Sequence, residues 1–287
     1  QGELLVGWDS DIDGSFDRDA VDSGISRWAS RHPNGTPLPV LDALARRLHD
    51  HAIDNGLADH LAAHPDVVAV MGGHSVARGS AAYRTVVELG RALTRDGWHV
   101  ATGGGPGAME AANLGAWLAP RPDDALDDAL SILAAEVDYR RADAYLEVGQ
   151  RVLDRYPDGA PSLAVPTWFY GHEPTNQFAT HVAKYFANSI REDGLLAIAT
   201  RGVVFAPGSA GTTQEVFQDA TQNHYDVFGV VSPMVFLGST FWREELPAEP
   251  LLRRLAGDRP YADLIGIADT AADAMCFLRA HPPLTSA

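Results

Sequence analysis

The segment PGSAGTTQE, which ends at Glu215, combines small residues and hydroxyls in a pattern that suits phosphate binding. Gly208 and Gly211 would let a ligand approach the backbone closely, and the predicted helix that follows would offer the N–H groups of its first turn. Hydroxyl groups of Ser209 and Thr212 would add donors to this anion site. A second interpretation stays open, in which Thr212 caps the helix and Glu215 completes a capping box.

A second glycine-rich segment, TGGGPGAMEAAN, covers residues 102–113. Gly103, Gly105 and Ala108 fit the G-x-G-x-x-A pattern of dinucleotide-binding turns. The pattern follows the second predicted strand instead of the first, and no strand ending in an acidic, ribose-binding residue follows about twenty residues later. A dinucleotide-dependent oxidoreductase is therefore a weak alternative, and turn glycines with a purely structural role are another. We expect no cofactor.

The charge and cysteine content restrict the partners and the compartment. The net charge is −16, from 38 acidic and 22 basic residues, which disfavours binding to nucleic acid or to an anionic membrane. Any phosphate must therefore be bound by a local site.

Cys276 is the single cysteine, so no internal disulfide can form. No run approaches the roughly 18 apolar residues of a membrane helix, and the start lacks a signal peptide pattern, so we expect a cytoplasmic protein.

The two glycine-rich segments must be positioned by strands and helices. The rest of the sequence alternates between strand and helix patterns. Predicted strands cover residues 67–71, 100–102, 163–165, 203–205, 234–237 and 265–267. Predicted helices include residues 38–64, 123–153, 178–196 and a helix from about Thr213. Such alternation predicts an α/β fold, a Rossmann-like doubly wound parallel sheet with helices on both faces, in which ligands bind beyond the carboxyl ends of the strands. We expect an acidic N-terminal arm with helices over residues 1–64 and the nucleotide-binding domain over residues 65–287.

Three segments in a fixed order carry a resemblance to a known family. GGHSVARGSAAY (72–83), TGGGPGAMEAAN and PGSAGTTQE resemble the LOG family of Rossmann-like, nucleotide-binding proteins, over about residues 65–240. That family includes phosphoribohydrolases that release cytokinin bases and broader nucleoside 5′-monophosphate nucleosidases. The resemblance implies a homodimer that hydrolyses the N-glycosidic bond of a nucleoside 5′-monophosphate to free base and ribose 5-phosphate. The chain departs from the family signature at Ser209, where a glycine is usual, and at Gln214, where many members have a glutamate.

The resemblance assigns candidate site residues. Glu215 would orient the ribose and the attacking water and stabilise the positive charge that develops on the sugar. Arg191 would bind the nucleotide and assist departure of the base, although a surface ion pair with Glu192 or Asp193 is the alternative interpretation. The candidate substrate and phosphate-binding residues are Gly73, Ser75, Gly104, Gly105, Gly107, Glu110, Gly208, Ser209, Gly211 and Thr212.

We expect no metal site from the two patterns that suggest one. His172, His181 and His224 lack a close ligand spacing. The run from Asp9 to Gly14 begins like a calcium loop, but its twelfth position is Ala20 instead of glutamate, which favours a solvated acidic arm.

Two further alternatives concern the reaction. Proteins of this family are often labelled lysine decarboxylases, which would require a lysine that forms a Schiff base with pyridoxal phosphate. The one lysine, Lys184, lies in a predicted helix away from the phosphate segments, so we reject that label. A non-catalytic regulatory protein that holds a nucleotide without cleaving it stays open because of Ser209 and Gln214.

Overall fold

The computed structural model describes residues 21–169, 174 and 176–285, with side chains from residue 25 onward, and its centre is a parallel sheet. The seven strands lie in the order β4-β3-β2-β1-β5-β7-β8, and every neighbouring pair is parallel. They are β1 (Val67–Met71), β2 (His99–Thr102), β3 (Leu163–Ala164), β4 (His181–Val182), β5 (Gly202–Phe205), β7 (Met234–Leu237) and β8 (Ile265–Ala268). A separate antiparallel pair joins β6 (Val230–Val231) to β9 (Leu284–Thr285).

Helices cover both faces of the sheet, which confirms the predicted doubly wound α/β fold. The helices are α1 (Val21–Arg31), α2 (Val40–Ala63), α3 (Ala81–Arg95), α4 (Ala108–Trp117), α5 (Asp124–Leu133), α6 (Ala142–Arg155), α7 (Asn188–Ala197), α8 (Ala210–Tyr225), α9 (Ala248–Ala256) and α10 (Ala271–Ala280). A π-helical turn (Phe241–Glu245) and a 3₁₀ turn (Pro260–Leu264) flank α9.

The strands form two cores because their side chains alternate between the faces. Val68 and Val70 of β1 pack with α3, α4, α5, α6 and α10, whereas Ala69 and Met71 pack with α2, α7, α8 and α9. All five residues of β1 are buried. A continuous apolar strand of this kind is what a sheet covered on both faces requires.

Several element boundaries differ from the sequence prediction. The predicted helix over residues 123–153 is two helices, α5 and α6, and the predicted helix over residues 178–196 contains β4 before α7 begins. The backbone of His181 and Val182 pairs with β3, and this long-range pairing overrides the local helical pattern. Helix α8 begins at Ala210, three residues before the predicted Thr213. The prediction also missed α1, α9 and the β6–β9 pair.

The order of the strands reverses at β1, because the chain first runs outward through β2 to β4 and then returns to place β5 on the other side of β1. The loops that follow β1 and β5 therefore leave the sheet side by side. The N–H of Gly73 donates to the carbonyl of Pro207 at 2.9 Å and fastens these loops together. Such a reversal point is where ligands bind in open α/β sheets.

Some predictions concern residues outside this description. The run from Asp9 to Gly14 and His172 lie outside the described residues, and the proposed domain boundary between residues 64 and 65 stays a prediction. Among the helices that the structure does describe, none has the length and apolar character needed to cross a bilayer.

Candidate functional site

A cleft of about 270 Å³ opens at the strand reversal point, between the loops after β1, β2 and β5. This volume is near the lower end of the range of small-molecule sites, about 300 to 1,000 Å³. Its lining residues are Met71, Gly72, Gly73, His74, Gly103, Met109, Arg191, Glu192, Ser209, Gly211, Thr212 and Glu215. The structure thus brings six of the predicted site residues onto one cleft: Gly73, Arg191, Ser209, Gly211, Thr212 and Glu215.

The N-terminus of α8 forms one wall of the cleft and is open to solvent. Ser209 precedes the helix and makes no side-chain capping hydrogen bond, while its carbonyl accepts the N–H of Thr213 at 3.0 Å. Ser209, Ala210 and Gly211 are exposed. The first N–H groups of a helix have no intrahelical acceptor, so this end can bind an anion. Thr212 lies inside the helix, so the capping-box interpretation is wrong.

The backbone of Gly208 lies very close to the side chain of Thr212 in the first turn of α8. A Cβ atom at this position would overlap Oγ1 of Thr212 and lie 2.6 Å from its Cβ. Gly208 is not on the cleft lining, so its role in the structure is to allow the tight turn that presents Ser209 and Gly211.

The second glycine segment uses its backbone donors within the protein. The N–H of Ala108, at the start of α4, donates to the carbonyl of Gly73 at 3.1 Å, and the N–H of Gly104 donates to Oγ1 of Thr102 at 3.1 Å. Gly103 and Met109 reach the cleft, whereas Gly104, Gly105 and Gly107 are not on its lining. This segment therefore supports the loop after β1, and the α8 N-terminus is the better candidate for an anion site.

The backbone conformation at position 107 favours glycine, since φ is +72°. A Cβ at Gly107 would overlap the carbonyl oxygen of Gly73 and lie 2.6 Å from that of His74. We expect Gly107→Ala to lower the free energy of unfolding by about 3 kcal/mol, from the left-handed φ and the overlap together. Urea denaturation measures this. Gly97→Ala is the matched control, because Gly97 has φ +86° but no atom within 4 Å. Gly97→Ala should lower the free energy of unfolding by about 1 kcal/mol. Equal losses in both variants would contradict the overlap argument.

Glu215 lies one turn into α8 with its side chain half-buried on the cleft. The pKa of its carboxyl is raised to about 7, mainly by burial, with the positive charge of Arg191 opposing the shift and the negative charge of Glu192 adding to it. A carboxyl group with a pKa near neutrality can exchange protons at physiological pH, as a general base must.

Arg191 is buried on α7 and faces the same cleft. Its Nε donates to Oδ1 of Asn188 at 2.8 Å, and its Nη1 donates to the carbonyl of Val165 at 3.3 Å. Its Nη2 also donates to Glu192 at 3.2 Å. The predicted ion pair with Glu192 therefore exists, but it lies on the cleft and not on an exposed helix surface.

Glu192 is a cleft residue that was predicted from the sequence only as an ion-pair partner of Arg191. Its Oε1 accepts from Nδ2 of Asn188 at 2.6 Å, and its Oε2 accepts from Nε2 of Gln214 at 2.9 Å. The amide at position 214 suits this neighbour, because a glutamate there would place another negative charge beside Glu192 and Glu215. The signal in the sequence was the adjacency of Glu192 to Arg191.

Glu110 and Ser75 are placed elsewhere. Glu110 is 1% exposed and forms an ion pair with the buried Arg78, with Nε to Oε1 at 2.8 Å. The hydroxyl of Tyr83 also donates to Glu110 at 2.5 Å. Ser75 is exposed on the loop after β1, outside the cleft lining. Neither side chain is among those that the cleft brings together.

Lys184 and His224 also lie away from the cleft lining. Nζ of Lys184 lies 4.0 Å from the ring centroid of Trp168, in a cation–π contact. His224 lies beside Tyr261, with its Nδ1 3.4 Å from the phenol oxygen.

Part of the chain is similar in sequence to a known protein family. Residues 66–119 match the model of the SLOG cluster4 family. The chain matches none of the curated proteins in sequence. Among solved structures, the molybdenum cofactor binding protein of Rippkaea orientalis aligns with a TM-score of 0.47 and 13% identity, over 75% of this chain and 95% of that one. The molybdenum cofactor carrier protein of Chlamydomonas reinhardtii aligns with a TM-score of 0.48 and 19% identity, over 75% and 96% of the two chains.

The family match spans β1 to α4 and includes the first two of the three segments that carry the LOG resemblance. Residues 66–119 therefore have the sequence pattern of the SLOG cluster4 family, in agreement with the resemblance of this chain to LOG-family proteins.

Proposed function

We propose that the protein hydrolyses the N-glycosidic bond of a nucleoside 5′-monophosphate, giving the free base and ribose 5-phosphate. One observation carries the proposal: the carboxyl group of Glu215, the guanidinium of Arg191 and the open N-terminus of α8 face one cleft. These are an acid–base group, a cation and an anion site. Together they match the three parts of a nucleotide that a nucleosidase must hold or act on.

The 5′-phosphate is assigned to the N-terminus of α8. Backbone N–H groups of the first turn, which include that of Gly211, would donate to the phosphate oxygens, and the helix dipole favours the negative charge. Ser209 and Thr212 line the same cleft. Local binding of this kind fits a protein with a net charge of −16, whose surface repels anions in general.

Glu215 is assigned to the reacting sugar. Cleavage of an N-glycosidic bond develops positive charge on the ribose, which a nearby carboxylate stabilises. The same carboxylate accepts a proton from the attacking water, and its pKa of about 7 suits that exchange. Because Glu215 is in the helix whose N-terminus would hold the phosphate, the carboxylate and the phosphate site have a fixed relative position.

Arg191 is assigned to the nucleotide and its leaving base. Its contacts with Asn188 and Val165 hold the guanidinium in place at the cleft. A cation at this position attracts the anionic substrate and stabilises negative charge on a departing base. Glu192 pairs with Arg191 and limits its movement.

The direct test is to incubate the purified protein with AMP, GMP, CMP and UMP and to measure free base and ribose 5-phosphate by chromatography. We expect release of base from at least one of the four. Binding of a nucleotide without release would contradict hydrolysis and would support the regulatory alternative, to which the departures at Ser209 and Gln214 point. The preferred base would follow from the relative rates.

The pKa of Glu215 predicts the pH dependence. The carboxylate is the active form, so kcat/KM should rise with pH through about 7 and should be about tenfold below its plateau near pH 6. Initial rates from about pH 6 to about pH 8.5 measure this profile.

Glu192→Gln separates this ionisation from that of the substrate phosphate. The charge of Glu192 raises the pKa of Glu215, so its removal should move the acid limb of the profile to lower pH. The second ionisation of the substrate phosphate, near pH 6, would not move. An acid limb at the same pH in both proteins would exclude Glu215 as its origin.

We further propose that the protein works as a cytoplasmic homodimer, as the resemblance to the LOG family implies. Analytical ultracentrifugation of the purified chain tests the dimer, and a single species at the monomer mass would contradict it.

A further inference from the structure

Four histidines meet at the amino-terminal edge of the sheet, at the opposite end of the strands from the cleft. His60 and His64 are one turn apart near the end of α2, and His99 is the first residue of β2. His181, the first residue of β4, lies against His60 with their ring centroids 4.4 Å apart. His181 was predicted to bind no metal when it was grouped with His172 and His224, since nothing local in the sequence shows that α2 and β2 contribute to the same cluster.

The nitrogen atoms of three of these rings are spaced as metal ligands are. One ring nitrogen from each of His60, His64 and His99 lies within 4.8 Å of the others. Nε2 of His60 and Nε2 of His99 are 3.0 Å apart. Tetrahedral coordination with metal–nitrogen bonds of about 2.0 to 2.1 Å separates ligand nitrogens by about 3.4 Å. Small rotations of the rings would therefore bring all three nitrogens to one ion.

Hydrogen bonds behind the rings fix which nitrogen faces the cluster. Nδ1 of His64 lies 3.1 Å from the carbonyl oxygen of His60, so this nitrogen carries the hydrogen and Nε2 keeps its lone pair. Nδ1 of His181 lies 2.9 Å from Oγ1 of Thr180, whose own hydroxyl donates to the carbonyl of Ser162 at 3.0 Å. Donation of the second ring N–H to a fixed acceptor is the usual arrangement behind a metal-bound histidine.

The chemistry of the cluster selects the class of ion. Imidazole nitrogens suit Zn²⁺, Ni²⁺ and Cu²⁺, whereas Mg²⁺ and Ca²⁺ prefer oxygen ligands. His60 lies in the last turn of α2 and His64 follows the last residue of that helix, and their rings stack with centroids 4.5 Å apart, so both are within reach of one ion. His99 is 6% exposed, and His60 and His64 are partly buried, so a bound ion would be shielded from solvent on the sheet side.

We propose that His60, His64 and His99 form a binding site for one divalent transition-metal ion of the zinc class, with His181 beside the fourth position. The ion joins α2 to β2 and so fastens this helix to the sheet. In the metal-free protein one of the two Nε2 atoms of His60 and His99 carries a hydrogen. Coordination requires that this ring place its hydrogen on Nδ1 instead. The site does not depend on the proposed hydrolysis, because it lies at the other edge of the sheet.

Isothermal titration of the chelator-treated full chain with Zn²⁺ tests the site. We expect one ion per chain in the wild type and in the control variant His51→Ala, since His51 is exposed on the same helix. His64→Ala should weaken binding at least about tenfold. A hundredfold excess of Zn²⁺ over Kd should raise Tm by about 5 °C in the wild type and the control, and not in His64→Ala.

Two results would overturn the proposal. One comes from the titrations: either His64→Ala and His51→Ala bind Zn²⁺ with equal affinity, or neither variant nor the wild type binds it. The other comes from X-ray absorption of the wild-type Zn²⁺ complex, which needs no folded variant. A shell of at least three imidazole nitrogens is expected, and a shell dominated by carboxylate oxygen would place the ion elsewhere, for example beside Glu192 and Glu215.

Discussion

Glu215→Gln is expected to lower kcat for nucleoside 5′-monophosphate hydrolysis by about 10²- to 10⁴-fold while nucleotide binding is retained. The amide has nearly the same shape as the carboxyl group, but it can neither accept a proton from water nor offset positive charge on the ribose. The α8 N-terminus, which is assigned to the phosphate, is unchanged by the substitution. The loss should therefore appear in kcat much more than in Kd.

Single-turnover rates and nucleotide titrations separate these two effects. Glu88→Gln is the matched control, since it makes the same chemical change at an exposed position of α3, outside the cleft lining. It should keep wild-type activity. Full activity in Glu215→Gln would remove Glu215 from the mechanism, and a loss of nucleotide binding in this variant would assign it to ground-state binding.

Glu110→Gln is expected to lower the free energy of unfolding by about 3 to 5 kcal/mol, because it leaves the charge of Arg78 buried without its counterion. Both residues are almost fully buried, at 1% and 3% exposure. Nε and Nη2 of Arg78 donate to the two carboxylate oxygens of Glu110 at 2.8 Å and 2.9 Å. An amide can accept only one of these two hydrogen bonds.

Arg78 connects several parts of the fold, which is why Glu110→Gln should lower the free energy of unfolding by so much. Its Nη1 donates to the carbonyl of Tyr145 at 2.9 Å and to that of Glu136 at 3.3 Å. Arg78 therefore links the loop after β1 to α4, through Glu110, and to the segment around α5 and α6. Disturbance of this pair is expected to loosen the loop that carries Gly73.

Urea unfolding measures this loss, and Asp127→Asn provides the control. Asp127 pairs with Arg84 at 2.6 Å, but both side chains are largely exposed, so the control should lose no more than about 1 kcal/mol. The Glu110→Gln variant also distinguishes a structural role for Glu110 from a role in substrate binding. A Glu110→Gln protein of normal stability that fails to bind nucleotide would support the substrate contact predicted from the sequence and contradict the structural role.

The sequence by itself determined the fold class, and it predicted the loop that is proposed here as the anion site. Strand and helix periodicity is local, so β1, β2, β5, β7 and β8 were predicted nearly where the structure has them. The glycine segments were recognisable because close backbone approach restricts the residue type, as at Gly107 and Gly208. The parallel order of the strands then required that the loops after them share one edge of the sheet.

Only the tertiary structure decided which polar side chains meet. Glu110 and Glu215 both follow a glycine segment, but one is buried against Arg78 and the other faces the cleft. Strand β4 lies within a segment predicted to be helical, because its pairing with β3 is a tertiary contact that the local pattern does not show. The meeting of His60 and His64 with His99 depends likewise on how α2 packs on the sheet. The physical reason is common to all three: local periodicity fixes the face a residue occupies, whereas its partner is fixed by contacts between elements far apart in the chain.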